Sequence, residues 1–531
     1  MTALPRSRNL LAVLAILVAA ALLAPGGALA NSSQETILQD DTALIYSSPT
    51  QVATNLQTLK NMGIDRVRVS VVWSLVAPNP KAAKKPAFNA TNPAAYPAGA
   101  WYRWDFIDYV AHQIGINVYF QPTAPAPTWA TKPVVHNQGY RWSSQINGAL
   151  YGQFFQAVAT RYDGSYPSTD PAGQTAALPR VSYWGIYNEP NIGGWLTPQY
   201  NKVRGHFVQA APATYRSMLD GAYSALVRTG HGHGQDTILI GETAAYGAAH
   251  PDYGSSTDPL IFMRTLYCLS SRYRPLTGQA ATTVGCSKSG SRAAFVRAHP
   301  GLFQASGWAH HPYDFMHAPD FKRSDPNSAS LSGIGRLERG LDQSFRAFHK
   351  PGGLPIYITE WGVQSRGPNP FIKFSQAQQA EYLNEGEYMA FRDPRIKSFA
   401  QFLLVDDAPN AQDPIGSKAY WSTFDSGLLF YPSQTPKPGY YAFELPVWLP
   451  NPHHGAHVSV WAQIRPSTAA RVGILRFQAH GSSTWTAVAL VAGAGPEGYV
   501  STHVDLPSAG SLRLAWTAAG QTLYSRVAQV T

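Results

Sequence analysis

The chain has 531 residues, a formal net charge of +10 and only two cysteines. That length exceeds one ordinary hydrophobic core and points to two domains. The basic residues are scattered apart from 81–85 and lack interleaved aromatics, which excludes a nucleic-acid surface, and two sulfurs without matching histidine spacing exclude a zinc module.

Taken in order, residues 1–30 read as a secretory signal peptide. Arg6 and Arg8 open it, 10–23 is apolar, and Ala28-Leu29-Ala30 fits a small-residue cleavage site. The apolar run is short for a membrane span and no second candidate follows, so a secreted protein with no membrane association after cleavage is expected. Cleavage removes two positive charges and leaves a basic surface, either simply solvated or drawn to an anionic envelope polymer. In an exported protein Cys268 and Cys286 are expected to pair.

From 31 to 432 strand-like and helix-like segments alternate. The strands are expected at 37–39, 66–72, 116–121, 181–187, 237–241, 307–311, 356–359 and 398–405. Between them Val52, Leu56, Leu59 and Met62 share one helical face, with Thr50 as N-cap and Gly63 as stop. Phe106, Ile107, Val110 and Ile114 repeat the pattern before Gly115, and Leu337, Leu341, Phe345 and Phe348 do so again. Eight such units predict an α/β fold, a (β/α)₈ TIM barrel. The excess length lies after strand ends, at 77–101, 122–148, 190–212, 242–259 and 312–333, where loops wall a barrel's cleft. Residues 433–456 form a Pro-rich connector. Residues 457–531 carry short alternating strands and no helix period, predicting an all-β immunoglobulin-like sandwich.

Two strand ends concentrate the chemistry. Residues 181–191 read V-S-Y-W-G-I-Y-N-E-P-N, an apolar strand stopped by Pro190 with Glu189 at its lip. Residues 355–362 read P-I-Y-I-T-E-W-G and repeat the design with Glu360. Two carboxyl groups on one barrel face suit hydrolysis of a glycosidic bond, one protonating the leaving oxygen and the other meeting the anomeric carbon.

With Asn188-Glu189-Pro190 ending the fourth strand and Glu360 the seventh, the barrel resembles the clan of retaining (β/α)₈ glycoside hydrolases that includes families 5 and 39. The resemblance covers about 40–425. It implies a retaining β-glycosidase acting on a polysaccharide or oligosaccharide, with Glu189 as acid/base and Glu360 as nucleophile. It further implies Arg68 near the nucleophile, Asn188 on the sugar 2-hydroxyl, and His311 and Tyr313 in the cleft, from His310-His311-Pro312-Tyr313. No cofactor and no metal are expected, and carbohydrate is the expected partner. An exo-acting β-xylosidase or β-glucosidase is one alternative; an inert carbohydrate-binding envelope protein is another.

Glu242, ending the fifth strand, is either a third cleft group or a buried ion-pair partner. Asp40, Asp41, Asp314, Asp406 and Asp407 also stand at strand ends, where solvated or helix-capping roles are expected. Such enzymes usually carry a tryptophan at the end of strand eight as the sugar platform. Here that strand reads Phe402-Leu403-Leu404-Val405-Asp406, leaving Trp361, Trp421, Trp129 or Trp195 for the role.

Overall fold

The structure is a computed structural model and describes residues 31, 33–171, 173–465, 471–518 and 520–531. The expected signal peptide lies outside the described residues. Eight parallel strands close into a barrel: β1 (Glu35–Gln39), β2 (Arg66–Val72), β3 (Asn117–Thr123), β4 (Tyr183–Gly185), β5 (Thr237–Ala244), β6 (Gly307–His311), β7 (Ile356–Ile358) and β8 (Ile396–Phe402). Each pairs with its chain neighbours, and β1 pairs with β8 to close the ring.

Strand β2 shows why the sequence R-V-R-V-S-V-V builds a barrel wall. Val67, Val69 and Val71 point outward and join the core under the helices. The alternate residues enter the lumen. Arg66 lies with its guanidinium 3.8 Å from the Tyr183 ring centre, and Arg68 reaches Glu360. Tyr119, Tyr183, Leu239 and Ala309 fill the lumen beside them. A packed barrel interior leaves the strand C-terminal ends as the place for a site.

The helices that surround the barrel are α1 (Pro49–Asn61), α2 (Tyr102–Ile114), α3 (Gly148–Arg161), α4 (Ala211–Arg228), α5 (Pro259–Leu266), α6 (Ile334–Ala347) and α7 (Gln376–Phe391). Helix α1 starts two residues earlier than expected. Ser48, not Thr50, accepts from the Gln51 amide, because Pro49 takes the first helical position where no N–H is needed. Gly115 ends α2 at φ 74°, a left-handed cap that glycine adopts without a Cβ penalty. Cys268 and Cys286 are bonded within the crossover from β5 to β6.

The segment 433–456 is more ordered than a connector. It contains helix α8 (Pro438–Glu444) and strand β9 (Val447–Trp448). Just before α8, the buried Lys437 ammonium donates to Asp406 at 2.6 Å. Two antiparallel sheets follow around one apolar core. The first joins β9, β10 (Gly455–Gln463) and β13 (Tyr499–Leu506); the second joins β11 (Val472–Ala479), β12 (Thr486–Ala492), β14 (Gly510–Ala518), β15 (Gln521–Tyr524) and β16 (Ala528–Val530). The first sheet meets the barrel through Trp461 and Tyr499 against Phe391. Around those rings Arg465 pairs with Glu387 at 2.5 Å, and the Tyr499 hydroxyl donates to the Gln34 carbonyl.

Candidate active site

The end of β4 is contorted. Tyr187 and Glu189 have φ of 65° and 37°, a region that costs non-glycine residues energy and clusters at functional sites. The expected strand 181–187 therefore shortens to Tyr183–Gly185. Gly185 is required here: a Cβ would come within 2.8 Å of Glu242 and collide with the Tyr119 hydroxyl.

Arg68 holds the floor of the site together. One terminal nitrogen donates to Glu360 at 2.6 Å; the other reaches Gln121 at 2.7 Å, Asn188 at 2.8 Å and Glu242 at 3.2 Å. His311 works across the barrel: Nδ1 bonds Glu189 at 3.0 Å and Nε2 bonds Glu242 at 2.9 Å, while Nδ1 also lies 3.6 Å from Glu360. The Tyr313 hydroxyl donates to Glu360 at 3.2 Å. Asn188 spends its amide oxygen on Arg68, and its amide nitrogen donates no hydrogen bond among the described residues.

Burial by itself would raise the Glu242 carboxyl. Arg68, His311 and Tyr119 override it and hold the group down at about 2. Glu242 is thus a buried ion-pair anchor under the site, also bonded by Thr359 at 2.7 Å. His311 is pulled down by burial but pushed up to about 9 by Glu360, Glu189 and Glu242, so it is an imidazolium at neutral pH. Glu360 is raised by burial; His311 and Arg68 pull it back, and Glu189 and Glu242 push it up. Burial keeps the Tyr313 phenol protonated well beyond neutrality, so it stays a donor.

Above these groups opens a cavity of about 340 Å³, lined by Asn188, Glu189, Tyr313 and Glu360. Arg68 and His311 sit fully buried beneath it. Six of the seven residues singled out in the sequence therefore come together. Trp361 does not: its ring packs 5.1 Å from Phe399 and against Gly386 of α7, in the layer between barrel and helices. Of the other tryptophans named, Trp195 lines the cavity, Trp129 is packed edge-on to Trp73, and Trp421 lies against Tyr420. Phe402 at the end of β8, with Phe315 and Phe424, supplies aromatic lining.

Sequence reasoning missed Gln39, Ser70, Tyr119 and Gln121. Tyr119 and Gln121 alternate on β3 in register with Arg68 and Ser70 on β2, so a period-two reading of the inward positions finds them. Asp40 caps the turn 41–44 through the Ala43 amide and accepts from Leu404 and Val405, which ties β1 to the exit of β8. Glu189, His311 and Glu360 offer ligand atoms within 4.8 Å of one another, a spacing open to a metal ion. The Arg68 guanidinium already lies 2.6 Å from Glu360 there and disfavours a further cation.

No protein family matches this chain, and no curated protein matches it. Among solved structures it is similar to a glucosidase from Croceicoccus marinus, at 12% identity and TM-score 0.46 over 95% of this chain and 82% of that one. It is also similar to a β-glucosidase from Trichoderma harzianum, at 15% identity and TM-score 0.45 over 78% and 97%. A family 1 β-glucosidase from Thermotoga maritima matches at 12% and 0.43 over 73% and 83%. Likenesses this distant do not reach the chemistry of the site.

Proposed function

We propose that the protein is a retaining β-glycosidase in which Glu360 is the nucleophile and Glu189 the acid/base. The observation that carries this is the spacing of the pair. An oxygen of Glu189 and one of Glu360 lie within 4.8 Å. That closeness suits the roughly 5–5.5 Å of a retaining pair better than the roughly 6.5–9.5 Å of an inverting pair.

Glu360, flanked by the Arg68 guanidinium and the Tyr313 hydroxyl, attacks the anomeric carbon as Glu189 gives its proton to the leaving oxygen. Glu189 then takes a proton from water, which attacks the glycosyl–enzyme bond and frees Glu360. His311 bonds Glu189 through Nδ1 and Glu242 through Nε2, so it is placed to steady Glu189 in both protonation states. Asn188 presents its amide nitrogen to the sugar 2-hydroxyl. An inert binding protein would have no chemical use for the close glutamate pair.

We place this activity outside the cell, in a barrel spanning 31–432. The disulfide suits an oxidising compartment, and no helix of the described residues is long and apolar enough to cross a membrane. The 457–531 region, with an immunoglobulin-like size and two antiparallel sheets, serves as a prop docked on the barrel through Arg465 and Trp461.

The experiment is azide rescue. Glu360→Ala should give an α-glycosyl azide, because azide fills the lost nucleophile's space. Glu189→Ala should give a β-glycosyl azide from substrates with good leaving groups, because azide attacks the glycosyl–enzyme. The reversed pairing would exchange the two roles.

A further inference from the structure

The cavity lining changes character around the ring, and the exit of β8 adds Phe402, Leu403, Phe424 and Asp407 to it. Around β1 and β2 it is polar, with Gln39, Asp41, Thr42 and Ser70. The Gln39 side-chain oxygen is buried there with no hydrogen-bond partner among the described residues. Around the exits of β4, β5 and β6, past Asn188, Glu189 and Tyr313, the lining is Ile192, Trp195, Ala244, Ala245, Tyr246 and Phe315. This second arc adjoins Glu189.

Part of its backbone is already engaged. Both polar groups of Ala244 bond the Asn191 side chain, and the Ala245 carbonyl accepts from Ala329. The Ile192 amide donates to Glu189, and its carbonyl accepts from Trp195 and Leu196. Beyond Asn188, Glu189 and Tyr313, the arc's polar side-chain atoms are the Tyr246 phenol and the Trp195 indole N–H. One face of the Tyr246 ring is covered by Arg323 at 3.8 Å.

Resting on the proposed glycosidase reading, we infer that the group leaving at Glu189 is an apolar alcohol or phenol rather than a second sugar. The glycone takes the polar arc, where its hydroxyls find partners. A sugar on the other arc would lose hydration with fewer side-chain partners to replace it, whereas an alkyl or aryl group gains by leaving water.

The test uses the full-length protein. Nitrophenyl glycosides of glucose, xylose, galactose and mannose first fix the glycone. Methyl, butyl and octyl β-glycosides of that sugar are then compared with its disaccharide. We expect kcat/KM to rise roughly threefold to fourfold per methylene over the first carbons, with the disaccharide below butyl. Phe315→Ser should flatten the rise. A flat series, or a disaccharide faster than octyl, overturns the inference and leaves the glycosidase reading standing. Absence of turnover on every glycoside, unchanged by Glu360→Gln, overturns both.

Discussion

At the scale of residues the site is an electrostatic knot, in which Arg68 faces both Glu242 and Glu360. Replacing Arg68 with Met strands two buried carboxylates and should cost about 3–5 kcal/mol of stability, measured by urea unfolding. Adding Glu242→Gln should recover part of that loss, because the pair is coupled. His311 carries a pH dependence. Its folded pKa is raised from 6.5 to about 9, so it binds its proton more tightly folded than unfolded. The stability it contributes is complete below the unfolded value and lost as pH rises through about 9. The gap in Tm between the parent and His311→Gln should therefore narrow between pH 6.5 and about 9. A gap constant across that range would exclude the imidazolium. Glu360→Gln should lower kcat at least roughly 10³-fold with Tm little changed, since the amide still accepts from Arg68.

At the scale of elements, short barrel strands set the site and long loops enclose it. The β5-to-β6 crossover carries several short helices and the disulfide. The cysteines stand 18 residues apart, and removing both as serine should cost about 2–4 kcal/mol, read as a fall in the denaturant midpoint. Thiol titration of the denatured, unreduced protein should find no free thiol. The bridge is distant from Glu189 and Glu360 in the chain and absent from the cavity lining, so kcat should be retained at moderate temperature.

At the scale of the whole molecule, barrel and β-sheets share buried polar contacts. Glu387 of α7 is raised by burial despite the guanidinium of Arg465. Arg465→Ala leaves that carboxyl buried with Asn384 but no cation, and should cost about 3–5 kcal/mol. Ending the chain near Tyr431 removes more. It takes away Lys437, the cation facing Asp406, beside the cavity-lining Asp407. It also bares Phe391, which packs on Trp461 and Tyr499. Such a chain should lose thermal stability and cleft integrity together. Normal Tm with weakened binding to insoluble glycan would instead make the β-sheets a binding module.

Period-two strands and 3.6-period helices are local signals, so the sequence alone determined the strand and helix order and hence the eight-unit plan. Exit residues such as Glu360 could be named because strand ends are also local, whereas Arg68 was named through the resemblance to retaining glycoside hydrolases. What the sequence could not decide depended on contacts across the ring. Whether Glu242 faced the cleft or was buried was set by Arg68, His311 and Thr359, which come from three other strands or their exits. Trp361 follows Glu360 directly, yet alternation turns its ring outward onto Gly386, whose missing side chain makes the space. Which aromatics reach the cavity was fixed by loop paths after β4, β6 and β8, and Pro- and Gly-rich loops carry no periodicity from which to read a direction. Lys437 bound the expected connector to the barrel because a buried carboxylate, Asp406, needed a cation, and only the folded chain brings the two together.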